Sequence, residues 1–480
     1  MKFVSKKNGG SVLVQIVVYS SIGIAFLTGI ISWLSANIRA SRNVTERELA
    51  FQIAEAGIDY YRWHIAHAPT DYKDGGDTDG PYVHPFINAE GVRVGEFLLL
   101  ITPPPSGGTM VTVLSEGRVD TNSSAVRKIE AKLAIPSYAK YAMLVDSTVY
   151  IAEQTVVEGL LHSNSGIRHD GLSKNLVTSA KFDYIDSAHS GGKEYAVHTH
   201  KDPVDPLPPE PLPLRADVFM AGRSLSVPNV DFDSLALELA IIKEKAEQGG
   251  FYRGDSGGEG YRVLLTADGT FSLYKVTGVL QAGRRSCKPG EDPAPPRESM
   301  WSISTEELIG NFAYPENGLI FLEDDAWVEG VVDGARLTIA VGVFPEAPGQ
   351  HRNIIVNNSI TYGSYDGTDT LGLVAQGDIA IGLHSEDLLR IDSAIIAKNG
   401  RLKRFYYTGP KCEPYDVRQS LTVYGSIASK EEIVTSWTDG TGYQNIDVAY
   451  DANLLYNPPP FFPLTSNIYE TISWEDVTHR

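Results

Sequence analysis

From Ser11 to Ile38 the chain runs for 28 residues without a charged side chain. At about 1.5 Å of rise per residue, a helix of that length exceeds the ~30 Å hydrocarbon thickness of a bilayer. The pattern then changes without a break. In "NIRASRNVTERELAFQIAEAGIDYYRWHIAHAP", Leu49, Ile53, Ala56 and Tyr60 recur at spacings of three and four, and no proline appears before Pro69. The spacing predicts one helix over 11–68, apolar all round in its first half and amphipathic in its second.

Three segments with strand character follow: "RVGEFLLLITP", "MVTVLSEGRVD" and "AVRKIEAKLAI". They predict an antiparallel sheet at about 94–134, inside a unit spanning 69–138, with one apolar face for the amphipathic half of the helix to cover. Beyond Tyr141 short apolar runs alternate with Gly or Asn corners, at 156–167, 327–339, 354–363, 373–381, 390–400 and 421–429. The later copies lie 17 to 31 residues apart. That pattern predicts the coils of a parallel β-helix-like head, with a β-sandwich as the alternative. On this reading the head starts at 139–170, is interrupted by an insertion over 171–320, resumes as rungs over 321–430 and ends in a wrap over 431–480. The insertion holds a proline-rich spacer (202–215), a helix over 231–250 and a hairpin over 261–276 with Asp268-Gly269 at its tip. The fold class is α+β, a long N-terminal helix followed by a mainly β head.

Charge narrows the function. The formal net charge of −19, from 41 basic and 60 acidic side chains, excludes a phosphate-tracking nucleic-acid binder. Two cysteines, Cys287 and Cys412, sit in loop-like surroundings and form no CxxC pair. One long-range disulfide in an oxidising location and two free thiols both remain open.

Lys2, Lys6 and Lys7 precede the apolar run, which orients a short N-terminus toward the cytoplasm. The run is longer than a secretory signal and lacks a small-residue cleavage site at its far end. The segments "KKNGGSVLVQ" and "RELAFQIAEAGIDYYR" make the first 70 residues or so resemble the type IV pilin family, in particular minor pilins of the PilX and GspK type. Arg47, Ala50, Phe51, Gln52, Ala54, Glu55 and Ala56 match the PilX-type signature. The resemblance implies a leader over 1–10, removed by a prepilin peptidase between Gly10 and Ser11. The helix 11–68 would anchor a single-pass precursor in the cytoplasmic membrane and later pack against other pilin subunits. Gln15 stands at the fifth mature position, where major pilins carry Glu, and cannot form an ion pair. Its presence fits a minor subunit at a tip or accessory position. The implied function is a non-enzymatic pilus assembly or tip protein displayed at the cell surface, adhesive toward a glycan or protein receptor. The alternative is a signal-anchored extracellular β-helix protein that binds or acts on polysaccharide.

Candidate chemistry is sparse. Asp74, Asp77 and Asp79 in "TDYKDGGDTDG" could hold calcium, but their spacing is not that of an EF-hand and a solvated turn is the simpler reading. His198 and His200 share a strand face and could grip a metal with His162, His169 or His189. No cysteine or clearly spaced carboxylate completes a set in the sequence, so polar packing is the simpler reading there too. Asp324, Asp325, Asp366, Asp369, Asp378 and Asp392 offer no evident acid–base pair. No catalytic residue is assigned, and calcium is the one cofactor considered.

Overall fold

The computed structural model describes residues 9–186, 192–280, 288–289, 301–347, 349–409 and 412–478. The chain divides into two compact units. One comprises residues up to Pro103, Val111–Leu133 and Thr471 onward; the other comprises Pro104–Met110 and Ala134–Glu470.

The first unit starts with α1 (Gly9–His67), a single helix of 59 residues. Four strands follow in an antiparallel meander: β1 (Tyr82–Ile87), β2 (Arg93–Thr102), β3 (Val111–Val119) and β4 (Asn122–Ala134). The strand Glu470–Asp476 closes the sheet beside β4, where the sequence suggested three strands and a terminal wrap. Alternation places Val111, Val113, Ser115, Gly117 and Val119 of β3 on one face. Ala50, Ile53, Ala54, Ile58, Tyr61 and Ile65 of α1 are buried, at the three-and-four spacing of one helix face. Glycines let this face approach the sheet. A Cβ on Gly95 would come 2.6 Å from the Ile53 Cδ1 and one on Gly57 2.2 Å from the Ser115 Oγ.

The second unit is built from short strands that pair in parallel, coil upon coil. One ladder runs Leu319–Leu322, Arg336–Val341, Thr370–Ala375, Leu388–Ala397, Val417–Ser429, Met143–Val145, Leu161–Ser163, Val177–Ser179. Along it Ile320, Ile339, Leu373, Ile395, Ile427, Met143, Leu161 and Val177 stack in one interior column. The parallel pairing excludes the β-sandwich, whose strands pair antiparallel. Coil order differs from chain order. Ile427, near the end of the chain, stacks directly on Met143, so the early coils follow the late ones. The intervening chain runs from one end of the stack to the other, ending in the hairpin Gly260–Thr266 and Thr270–Val279, whose first strand pairs in parallel with Ala326–Val332. Within the expected 431–480 wrap, Gly442–Tyr450 is likewise a strand of the stack, parallel to Val417–Ser429 and to Val156–Glu158.

Residues one position along the ladder form a second column on its outer face: Phe321, Ala340, Val374, Ile396, Ala428 and Leu144. The helix α2 (Leu235–Gly249) packs Leu235, Leu239, Ile242 and Ala246 against that cluster. These strands are therefore buried on both faces and read as continuous apolar runs.

Candidate functional site

Among the described residues, two regions present chemistry beyond scaffold packing: the surface of α1, and a histidine–carboxylate cluster in the second unit.

On α1, apolar side chains from Val12 to Ile38 are exposed around the whole circumference. The helix is long and apolar enough to cross a membrane. Gly10 and Ser11 fall in its first turn, and Gln15 is exposed one turn further on. Residues 1–8 of the expected leader lie outside the described residues. The signature positions divide by role. Ala50 and Ala54 are fully buried, where only a small side chain fits beneath the sheet. The Phe51 ring meets Trp474 edge-on at 5.7 Å, with the Arg127 guanidinium 5.6 Å from its centroid. Arg47 and Gln52 are exposed, while Glu55 and Ala56 are half-buried.

Among the described residues, the acidic loop after α1 does not gather its candidate calcium ligands, in line with the solvated turn taken as the simpler reading. The Asp74 carboxylate faces His84 Nε2 at 2.6 Å, whereas Asp79 pairs with the Lys73 ammonium at 2.8 Å. Asp71, which the sequence reading passed over, organises the loop instead. It accepts from the backbone N–H of Lys73 at 2.9 Å and Gly75 at 2.7 Å, and lies 3.0 Å from His64 Nε2. The Lys73 N–H is the largest of the influences that hold its carboxyl below the usual range.

The second region does assemble. The strands Asp183–Ile185 and Lys193–Tyr195 pair antiparallel with Tyr184 opposite Glu194. The strand Val197–His198 then lies parallel to Ile167–His169. This turn of chain gathers Asp186, Glu194, His198 and His200. One ligand atom each from Asp186, His198 and His200 lies within 4.8 Å of the other two. His198 Nε2 is 3.6 Å from Asp186 Oδ2, and His200 Nε2 is 3.4 Å from Glu194 Oε1. The two imidazole centroids are 5.0 Å apart. Burial pulls His198 below the usual histidine range, with the charge of Glu194 opposing. Asp186 also lines a cavity of about 370 Å³ with Tyr150, Arg168, Tyr184 and Glu432.

The sequence reading found no clearly spaced carboxylate for the histidine pair, and the structure places two beside it. The pairing of Asp183–Ile185 with Lys193–Tyr195 brings Asp186 within 4.8 Å of both histidines and Glu194 beside His200. The other histidines stand apart. Both ring nitrogens of His162 are engaged, by Thr178 Oγ1 at 2.8 Å and Asn164 Oδ1 at 3.0 Å. His169 is buried beside Phe219, and His189 lies outside the described residues.

The aspartates considered for glycan chemistry serve the scaffold. Asp324 accepts from the Ser256 hydroxyl at 2.6 Å, and Asp325 from the Asn353 N–H at 2.6 Å. Asp366 closes a turn with Thr368 at 2.6 Å, and Asp369 accepts from the Ser364 N–H at 2.7 Å. Asp378 binds Lys403 at 2.8 Å, and Asp392 binds Arg390 at 2.7 Å and the Tyr365 hydroxyl at 2.6 Å. Cys412, expected in an exposed loop, is fully buried among Trp301, Trp327, Phe405 and Tyr407, and is disulfide-bonded. Cys287 lies outside the described residues.

No protein-family model matches the sequence, and no curated protein matches it. Among solved structures the chain is similar to the crystal structure of the competence-associated pilin ComZ from Thermus thermophilus, with 13% identity, 90% of this chain and 97% of that chain covered, and a TM-score of 0.35.

Proposed function

We propose that the chain is a non-enzymatic, type IV pilus-related membrane subunit of the minor-pilin kind, processed behind Gly10 and assembled through α1. One observation carries this reading. A single unbroken helix, Gly9–His67, joins an exposed apolar run to a buried face packed on an antiparallel sheet. The apolar run satisfies its own backbone hydrogen bonds, so lipid can solvate it, whereas water cannot do so without a large hydrophobic penalty. A signal anchor requires only the span. A subunit whose helix leaves lipid for a filament also requires that span to be continuous with a folded unit.

Its partners are then a prepilin peptidase at Gly10–Ser11 and other pilin subunits along the apolar run. Gln15, exposed and uncharged, favours a tip or accessory position. The precursor resides in the cytoplasmic membrane as a single pass, and the β-rich second unit is the extracellular module, adhesive toward a glycan or protein receptor.

The mature N-terminus tests this. Mass spectrometry of protein from the native host is expected to find Ser11 as the first residue. Gly10→Val is expected to leave the leader attached and to keep the chain out of surface filaments. Recovery of intact residues 1–10 from the native host, or a cut beyond Ile38, overturns the proposal.

A further inference from the structure

The chemistry of the cluster around His198 goes beyond an anchoring and assembly role. The His198 side chain is 0% exposed. Its Nδ1 lies 3.0 Å from the carbonyl oxygen of Tyr195. A carbonyl only accepts, so Nδ1 carries the proton and donates it, and Nε2 is left with a lone pair. That Nε2 is buried without a hydrogen-bond partner, and it points at Asp186 Oδ2, 3.6 Å away.

Two acceptor lone pairs facing each other in a buried site repel unless something positive lies between them. A proton on Nε2 is one candidate, but a proton bridges only two groups, and a ligand atom of His200 also lies within 4.8 Å of both. A metal cation is the other. A backbone carbonyl fixing Nδ1–H while Nε2 faces the site is the outer-shell arrangement common to metal-binding histidines.

We propose that Asp186, His198 and His200 bind one divalent transition-metal ion of the zinc class, with Glu194 beside His200 as the adjoining carboxylate. The bound ion would tie the paired strands Asp183–Ile185 and Lys193–Tyr195 to the strand Val197–His198. Donors about 2.0–2.1 Å from a tetrahedral ion stand about 3.3 Å from each other. The 3.6 Å separation of His198 and Asp186 is close to that value, and small side-chain rotations bring in His200 from within 4.8 Å. Imidazole nitrogens with carboxylate oxygens favour zinc, cobalt or nickel over calcium or magnesium, which prefer all-oxygen shells. The cavity bordered by Asp186 supplies an entry path from solvent.

The test uses the full chain in detergent micelles, stripped with EDTA and then dialysed against zinc or cobalt chloride. Metal analysis is expected to find one zinc per chain. Cobalt is expected to give visible absorption bands that calcium and magnesium do not displace. His198→Ala and His200→Ala should each weaken zinc binding about a hundredfold, while His67→Ala, in the first unit, leaves it unchanged. Should either variant fail to fold by circular dichroism, Asp186→Asn, which preserves shape, decides in the same way. Folded wild-type protein that retains no zinc overturns the proposal, as does equal zinc content with an unchanged cobalt spectrum in the folded His198→Ala or Asp186→Asn variant.

Discussion

Gly117 and Ala54 meet backbone to backbone: a Cβ built on Gly117 would stand 2.5 Å from the Ala54 amide nitrogen and 2.1 Å from the Ala50 carbonyl oxygen. This is where α1 crosses β3, and neither backbone can retreat without lifting the helix off the sheet. Gly117→Ala is therefore expected to destabilise the first unit by about 1–3 kcal/mol through overpacking. Gly76→Ala, whose Cβ would meet Lys73 O at an ordinary 3.5 Å, should be close to neutral. Thermal unfolding, together with hydrogen exchange of the amides around Ala54, checks the pair. Equal behaviour of the two variants would show that the helix is not seated on β3 at this point.

That contact also marks what could be read from the sequence and what could not. α1 was legible because three-and-four spacing and the absence of proline persist for many turns, and Ala50 and Ala54 stood out as signature positions. Gly117 did not, since its meaning depends on Ala50 and Ala54, more than sixty residues earlier in the chain. Tyr82–Ile87 was missed because Pro85 speaks against a strand, yet β1 is at the edge of its sheet, where proline is tolerated. The coil order was illegible for a different reason. Strands buried on both faces lose the alternation that would mark their register, so nothing local announces that Ile427 sits on Met143. His198 and His200 were visible as a pair two residues apart, although the strand ends at His198 and does not carry both on one face. Asp186 and Glu194 joined them only once the strands Asp183–Ile185 and Lys193–Tyr195 were paired.

Arg404 is a buried cation held by neutral acceptors. Its side chain is fully buried, with Nη1 donating to Gly382 O at 2.6 Å and Ser385 Oγ at 2.8 Å, and Nη2 donating to Leu383 O at 3.3 Å and to Tyr415 O. The guanidinium also lies 5.3 Å from the Tyr407 centroid and 5.6 Å from that of Tyr443. Burial lowers its basicity. A lysine ammonium cannot span acceptors arranged for a planar fork. Arg404→Met, which fills the volume but strands the carbonyls, is expected to cost about 3 kcal/mol, and Arg404→Lys to recover only part of that. Urea midpoints measure both. Arg404→Lys matching the wild type would contradict this account of the site.

Cys412 carries a disulfide inside an aromatic cluster, next to the point where Lys288–Pro289 pairs with Tyr407–Thr408. The sequence contains two cysteines, so non-reducing peptide mapping is expected to recover the Cys412 peptide joined to that of Cys287. A long closed loop makes this bond worth about 5 kcal/mol in the chain-entropy view. Because Cys412 is wholly buried, reductant should act slowly on the folded chain and fast in urea. Equal reduction rates in the two conditions would place the bond at the surface instead.

His169 makes stability depend on pH in a stated direction. The ring is wholly buried, edge-on to Phe219 at 5.7 Å, and burial pulls its pKa down to about 4, with the charge of Asp170 opposing. In the unfolded chain an ordinary histidine titrates near 6.5. Between those values the unfolded state binds more protons than the folded state, so stability is fully present above about 6.5 and falls as the pH drops toward 4. The shift corresponds to about 3 kcal/mol across that window. His162, also lowered by burial, acts in the same direction. Glu238, Glu432 and Asp451, raised by burial, act in the opposite one, so the total slope alone does not isolate His169. Substitution does. His169→Leu keeps an apolar side chain beside Phe219 and removes the titration, so its melting temperature should fall less steeply than that of the wild type between pH 6.5 and 4. Parallel melting curves for the two proteins across that range would mean that His169 is already protonated, or already solvated, in the folded state.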